Sequence, residues 1–264
     1  MNNFEDFVKS LFENSYFNIE EVNKKKEEDK KELLNEIGWL LLVYYIENGF
    51  LKIPKSTQKT LYNRFSKKVL NMFSNETEQE RAIVTEILED TLHESSIFYD
   101  LEFKVELNKD AKVTGELINK DAQKFIKKKY KGSTFSKRIW ENNNEISKEL
   151  QNEIEKLLKG ETSVNEIKKN IEDRFETSKY NAKRLVDTEV ARVHDEVFKK
   201  YCKDNGVEEL IYKATFCNTC KMCRSNHNKV FKIDEAPLLP QHPQCKCYYE
   251  MKSIYVNNIL VNEN

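Results

Sequence analysis

The stretch "CNTCKMCRSNH", Cys217 to His227, sets three cysteines at three-residue intervals and a histidine four further on. A second cluster, "HPQCKC" from His242 to Cys247, follows 15 residues later. A C-x2-C pair on a tight turn offers two thiolates from neighbouring backbone positions, and tetrahedral zinc takes four such ligands. Two pairs overlap in the first cluster: Cys217 with Cys220, and Cys220 with Cys223. In the second, His242 and Cys245 are three residues apart and Cys247 lies just beyond. Seven candidates therefore compete for four positions. The connecting "VFKIDEAPLLP" reads as a strand followed by an irregular loop, so residues 205–252 are expected to form a small zinc-stapled β-hairpin module.

A structural ion fits this set better than a catalytic one, because the side chains suffice to close the coordination sphere and leave no position for water. No H-E-x-x-H occurs, and no H-x-E precedes the cysteines as zinc deaminases require. His227 lies in "NHNKVF", where a turn is expected, with Asn228 suited to positive φ. Cys202, alone near a helix end, reads as a small buried apolar residue.

Outward from the module, composition points to helices. Only 6 glycines and 4 prolines in 264 residues argue against a many-turned β fold. Acidic and basic residues nearly cancel, 45 against 44, which excludes a global pull toward nucleic acid or anionic membrane. The longest apolar run, Ile37 to Ile46, is well short of the roughly 20 residues that span a bilayer. The N-terminus lacks the basic and apolar regions of a secretory signal, so a reducing cytosol is expected, where clustered cysteines favour metal over disulfides.

The expected fold is mainly α (α+β overall), with helical N-terminal and central regions ahead of the β module. Glu20 to Glu32 reads as a solvated helical face. Leu33 to Ile46, apolar nearly all round, is placed centrally in a bundle, with Gly49 ending it. Helical patterns resume in two stretches around Ser56 to Phe73 and Glu80 to Phe98, and "LEFKVEL" (Leu101 to Leu107) alternates as a short strand would. Ile146, Leu150, Ile154, Leu157 and Leu158 form a stripe that stops at Gly160. Ser163 to Glu166 has capping-box spacing, and Val164, Ile167, Ile171 and Phe175 carry the next stripe. A further helix, about Ser178 to Cys202, repeats Val186, Val190, Val193, Val197 and Tyr201 before Asn205-Gly206 ends it.

Between Ala122 and Arg138 stand seven basic residues and no acidic one: Lys124, Lys127, Lys128, Lys129, Lys131, Lys137 and Arg138. Phe125, Tyr130, Phe135 and Trp140 are interleaved. That composition fits a DNA-contacting surface with stacking groups, or, more plainly, a solvated helix end whose aromatics belong to the core.

In order along the chain, "GSTFSKRIWENNNEISKEL", "LLKGETSVNEIKKNIEDRF", "NAKRLVDTEVARVHDE", "ATFCNTCKMC", "NKVFKIDEAP" and "PQHPQCKC" resemble the minor head (minor capsid, head-morphogenesis) proteins of tailed phages of the Mu F-like group. The likeness covers about residues 130 to 250. It implies a variable helical N-terminal region (1–130), a shared helical region (131–204), the zinc module and a tail (253–264). It also implies a protein of the virion head, assembled in the host cytoplasm and not secreted. Its partners would be the portal or major capsid protein, with DNA packaging or ejection as its setting. Neither an enzymatic reaction, a membrane nor a small-molecule substrate is implied. The competing reading is a zinc-stabilised HNH-type nuclease or nucleic-acid-processing enzyme, against which stands the lack of a paired His or Asp-His site for a catalytic metal.

The resemblance also sorts the ligands. Cys220 and Cys223 fall on the family's pair, and Cys217 stands where the family has Asp. The implied set is Cys220, Cys223, His242 and Cys245, with Cys247 and Cys217 as alternates. Cys245 and Cys247 point the same way in an extended segment and are not separated by sequence. Arg184, Glu189 and Arg192 are retained family positions, expected either to hold the module against the helix or to pair on the helix surface. Asp187 replaces a family Arg, so a basic contact there is lost or inverted.

Overall fold

The computed structural model describes residues 3–107, 120–215, 219–252, 254–256 and 259–261. Helix α1 (Asn3–Val43) is followed by strands β1 (Tyr45–Glu47) and β2 (Phe50–Lys52), then α2 (Lys55–Leu107). After α3 (Ala122–Ile126) come α4 (Phe135–Lys159) and α5 (Val164–Asp204). The C-terminal part holds β3 (Glu209–Lys213), α6 (Lys221–Asn226), β4 (Val230–Lys232), β5 (Tyr248–Met251), β6 (Ile254–Val256) and β7 (Ile259–Val261). The protein is thus mainly α with a small antiparallel β module. Contacts divide it into two compact units, Asn18–Ile83 with Ser136–Lys183, and Met1–Phe17 with Val84–Phe135 and Arg184–Asn264.

The first unit is built on apolar stripes. Ile146, Leu150, Ile154, Leu157 and Leu158 of α4 are all buried, against Ile167, Ile171 and Phe175 of α5, Phe65 and Val69 of α2, and Leu33, Ile37 and Leu40 of α1. The α4–α5 corner is fixed locally. Gly160 takes φ 71°, and a Cβ there would come within 3.0 Å of the Leu51 carbonyl oxygen, so glycine is required twice over. The Ser163 amide donates to Glu166 Oε2 at 2.9 Å while the Glu166 amide donates to Ser163 Oγ at 3.3 Å, a reciprocal capping box.

Several expectations in this unit are corrected. Leu33 to Ile46 is not buried all round, since Trp39, Leu42 and Val43 are exposed and the helix stops at Val43. Tyr45 to Lys52 is a hairpin, because Asn48 (φ 52°) and Gly49 (φ 83°) supply the two positive-φ positions of a turn whose twist suits antiparallel strands. The charge run Glu20 to Glu32 is not wholly a solvated face. Lys26 is fully buried and donates to Glu76 Oε2 at 3.1 Å, Glu80 Oε2 at 3.0 Å and Ser178 Oγ at 2.8 Å. These partners also explain two continuous helices where separate ones were expected. The polar residues of Ser74 to Gln79 and around Ser178 look like joints in sequence, yet Glu76 and Ser178 are inward groups of unbroken helices.

In the second unit, Leu101 to Leu107 is helical, not a strand. Tyr99 and Phe103, one turn apart, are both buried and in edge contact, which the period of two could not reveal. Tyr99 centres an aromatic cluster with Phe4, Phe98 and Phe198. Its hydroxyl lies 2.5 Å from Nε2 of buried His194, whose pKa burial lowers to about 4. Val186, Val190, Val193, Val197 and Tyr201 form the buried face of α5, and Gly206 at φ 78° ends the helix as expected. The sheet runs β4-β3-β5, antiparallel throughout, with Leu210 opposite Phe231 and Tyr212 opposite Tyr249. The central strand β3 turns the expected hairpin into a three-stranded sheet. Strands β6 and β7 pair separately.

Candidate metal centre

The knuckle is a helix-capping geometry. Cys220 is the N-cap of α6, with extended backbone (φ −67°, ψ 162°), and its Sγ accepts the Cys223 amide at 3.4 Å. A three-residue step from N-cap into the first turn therefore brings both sulfurs to one end of the helix. His227 ends α6 and turns away, its Nδ1 accepting the Ala214 amide at 3.1 Å. Asn228 at φ 61° completes the turn into β4 and donates its amide to the Tyr212 carbonyl at 2.8 Å.

The loop between β4 and β5 returns the second cluster. His242 Nδ1 is 2.9 Å from the Pro243 carbonyl, so Nδ1 carries the proton and Nε2 presents its lone pair toward Cys223 Sγ at 3.4 Å. A histidine whose far nitrogen is fixed by a carbonyl is the usual orientation of a metal ligand. Gln244 takes φ 62°, and the Cys245 amide donates to the His242 carbonyl at 3.1 Å. This tight turn sets Cys245 Sγ 3.7 Å from Cys223 Sγ.

Two triplets result, both including Cys223. The ligand atoms of Cys220, Cys223 and His242 lie within 4.8 Å of one another, as do those of Cys223, Cys245 and Cys247. With metal–sulfur lengths of about 2.3 Å and metal–nitrogen of about 2.0 Å, tetrahedral edges are about 3.8 Å between sulfurs and about 3.5 Å between sulfur and nitrogen. The measured 3.7 and 3.4 Å are close to these values.

The four thiols divide in their electrostatics. The Cys247 thiol beside Cys245 holds its pKa down to about 5, and the Cys223 amide lowers that of Cys220. Burial pushes Cys223 up to about 12, and the Cys245 sulfur, followed by burial, raises Cys247. Tyr212, in central strand β3, aims its buried hydroxyl at the sulfurs of Cys223 and Cys247, and that oxygen has no hydrogen-bond partner of ordinary geometry among the described residues. A thiolate bound to metal would accept from it. The donor set and this orphaned hydroxyl fit a metal ion. Cys217 lies outside the described residues.

The module is anchored to α5 by residues that sequence reading did not single out. Thr188 Oγ1 accepts the Gln244 amide at 3.2 Å, and the Asp195 carboxylate accepts the Leu239 amide at 3.4 Å. Asp195 also pairs with Lys199 at 3.0 Å; burial raises its pKa to about 6. Lys199 in turn donates to the Pro237 carbonyl at 3.1 Å. Thr188 and Asp195, seven residues apart, share one helix face, and that spacing was the available signal. Asp187 is buried, accepts from the Tyr16 hydroxyl at 2.6 Å and faces Lys246 at 3.9 Å, so the basic partner at this position comes from the module.

Of the helix residues that the resemblance singled out, Arg192 and Glu189 pair at 2.7 Å and are buried. Arg192 donates to the carbonyls of Phe125 and Ile126 at 2.8 and 3.3 Å, so it clasps the end of α3 and not the metal module. Arg184 is exposed. The basic cluster is divided, with Lys124, Lys127, Lys128, Lys129 and Lys131 in one unit and Lys137 and Arg138 in the other. Although the stretch holds no acid, Lys124 meets Asp121, Lys128 meets Glu196 and Lys137 meets Glu141.

Fold and site define a mainly helical protein carrying a Cys/His cluster, fit for a metal ion, on a small antiparallel sheet. Residues 145–250, from α4 to β5, match the family described as Phage Mu protein F like protein. The chain thus carries a Mu F-like region. No curated protein and no solved structure matches. Among the described residues, no helix is long and apolar enough to cross a membrane.

Proposed function

We propose that this chain is a minor head protein of a tailed phage. It acts in head morphogenesis beside the portal or major capsid protein, and one structural zinc closes its C-terminal module. The observation that carries this reading is the coincidence of the two findings: the Mu F-like stretch ends at residue 250, just beyond the Cys/His cluster. Cys220, Cys223, His242 and Cys245 are the proposed ligands, with Cys247, in one triplet with Cys223 and Cys245, as the alternate. Four protein ligands leave no open position for a reacting water, so the zinc holds structure and the reading assigns the chain no reaction.

The protein is proposed to be assembled in the host cytoplasm and retained in the virion head. Any DNA contact during packaging or ejection falls to Lys127, since Lys124, Lys128 and Lys137 are held in ion pairs. Purified procapsids and mature heads test the reading. Co-sedimentation with heads and cross-linking to the portal or major capsid protein are expected. A protein left wholly in the soluble lysate, absent from heads at every stage, would contradict it.

A further inference from the structure

A cleft of about 850 Å³ opens beside the metal module, lined by the α3–α4 turn, the last turns of α5 and the loop that follows β4. All of it belongs to the unit that carries the module. Its floor and one lip are aliphatic: Leu239 and Pro240 are buried, and Met222, Ile233, Ala236 and Leu238 continue the surface outward. Leu238 is 78 % exposed and Met222 50 % exposed, so the lip presents two large apolar side chains to solvent. The rim is cationic. Seven basic groups line the cleft against three acidic ones, with Lys129, Lys131, Lys200 and Lys203 on its edge. The three acids, Asp195, Glu196 and Asp234, are each held by a lysine: Lys199, Lys128 and Lys203. Lys200 pairs with Asp204 and Arg192 with Glu189, so the excess positive charge of the rim rests on Lys129 and Lys131.

We infer that this cleft is a docking site for an acidic, amphipathic segment of a partner protein, with aliphatic side chains seated on Leu238, Leu239 and Met222 and carboxylates facing the lysine rim. Charge complementarity selects the partner's sign, and the aliphatic floor selects its class. A single strand held in a groove uses stacking faces as well as positive charge. The two aromatics here are poorly placed to give them: the Tyr130 hydroxyl is tied to the Pro240 carbonyl and its ring already carries the Lys131 ammonium at 5.3 Å. A helix or strand with apolar residues on one side and Glu or Asp on the other satisfies both surfaces, as helix-in-groove recognition does elsewhere. None of the proposed metal ligands lines the cleft, although Met222 and Gln241 adjoin Cys223 and His242, and the inference stands whether or not the head-protein reading does.

The test uses the full chain as purified and a fluorescein-labelled synthetic peptide with leucines at helical i, i+3, i+4, i+7 spacing among glutamates. Fluorescence anisotropy should show saturable binding that weakens with added salt. A peptide of equal charge with serines for leucines should bind about tenfold or more weaker, and Leu238→Asp should cost a similar factor, as expected for losing one or two buried aliphatic side chains. Lys129→Glu should weaken binding by about threefold, the scale of a rim charge. Leu70→Asp, on an exposed leucine of the other unit, should change nothing. Circular dichroism confirms that the variants are folded. No binding, equal binding of the serine peptide, insensitivity to Leu238→Asp, or displacement by a single-stranded oligonucleotide would each overturn the inference.

Discussion

The helical unit and the Cys/His module hold their shape by different means. In the helical unit, four helices bury a continuous set of Leu, Ile, Val and Phe side chains, and α4 alone contributes five fully covered residues from Ile146 to Leu158. The module has strands of three to five residues and few buried aliphatic groups besides Leu210 and Leu239, with Tyr212, Tyr248 and Tyr249 filling the rest. Elements so short cannot offset their own ordering entropy by burial alone, and natural domains of this size lean on metals or disulfides. The helical unit is held by surface removed from water, whereas the module, with little such surface, is proposed to depend on coordinate bonds to a metal ion.

The largest expected effect lies in the module. Cys223→Ser removes the one residue common to both ligand triplets and should release the metal, with the loss of up to about 10 kcal/mol of metal-coupled folding energy. Hydrogen exchange at the β3 and β5 amides should accelerate while protection of α4 stays. Equal protection of the sheet before and after chelator treatment would break the comparison. In the helical unit, Phe175→Ala should cost about 3–5 kcal/mol in denaturant unfolding and leave metal content unchanged.

Lys26→Met probes a place where the helical unit departs from apolar packing. It leaves Glu76 and Glu80 without their cation, and removing one partner of a buried pair costs about 3–5 kcal/mol. The pH dependence has a definite sign. Burial raises the Glu76 pKa from 4.5 to about 7. A raised carboxyl favours the fold below its unfolded value, and that contribution is lost as pH rises through the folded one. The variant should therefore lose stability between about pH 4.5 and 7 more steeply than the parent. Thermal melts across that range would show it, and a flat profile would place the charges in water. Smallest of all, Ser163→Ala should cost about 1 kcal/mol by opening the capping box of α5.

What sequence made visible follows the same division. The stripes of α4 and α5, the Gly160 and Gly206 stops and the Ser163–Glu166 box were legible because each is a local period or a local cap. The cysteine clusters were legible because chelation needs short spacing. Groups whose partners are distant in sequence were hidden. Lys26 lies in a run of charges, and Glu76, Glu80 and Ser178, all 50 or more residues on, make it an interior residue. Thr188 and Asp195 interrupt an apolar helix for the sake of amides more than 40 residues away. Asn48-Gly49 is a local hairpin signal, but Gly49 reads as the end of the apolar helix before it, so the hairpin was missed. The choice among ligands stayed open because Cys245 and Cys247 share a side in sequence and a triplet in space.

Zinc content of the purified chain and its single Cys→Ser variants, by elemental analysis, tests the central claim most directly. About one zinc per chain is expected in the parent, lost with Cys220→Ser and with Cys245→Ser, and kept with Cys217→Ser and with Cys247→Ser. A parent without stoichiometric zinc would contradict the account, as would loss of the metal from Cys217→Ser equal to that from Cys220→Ser.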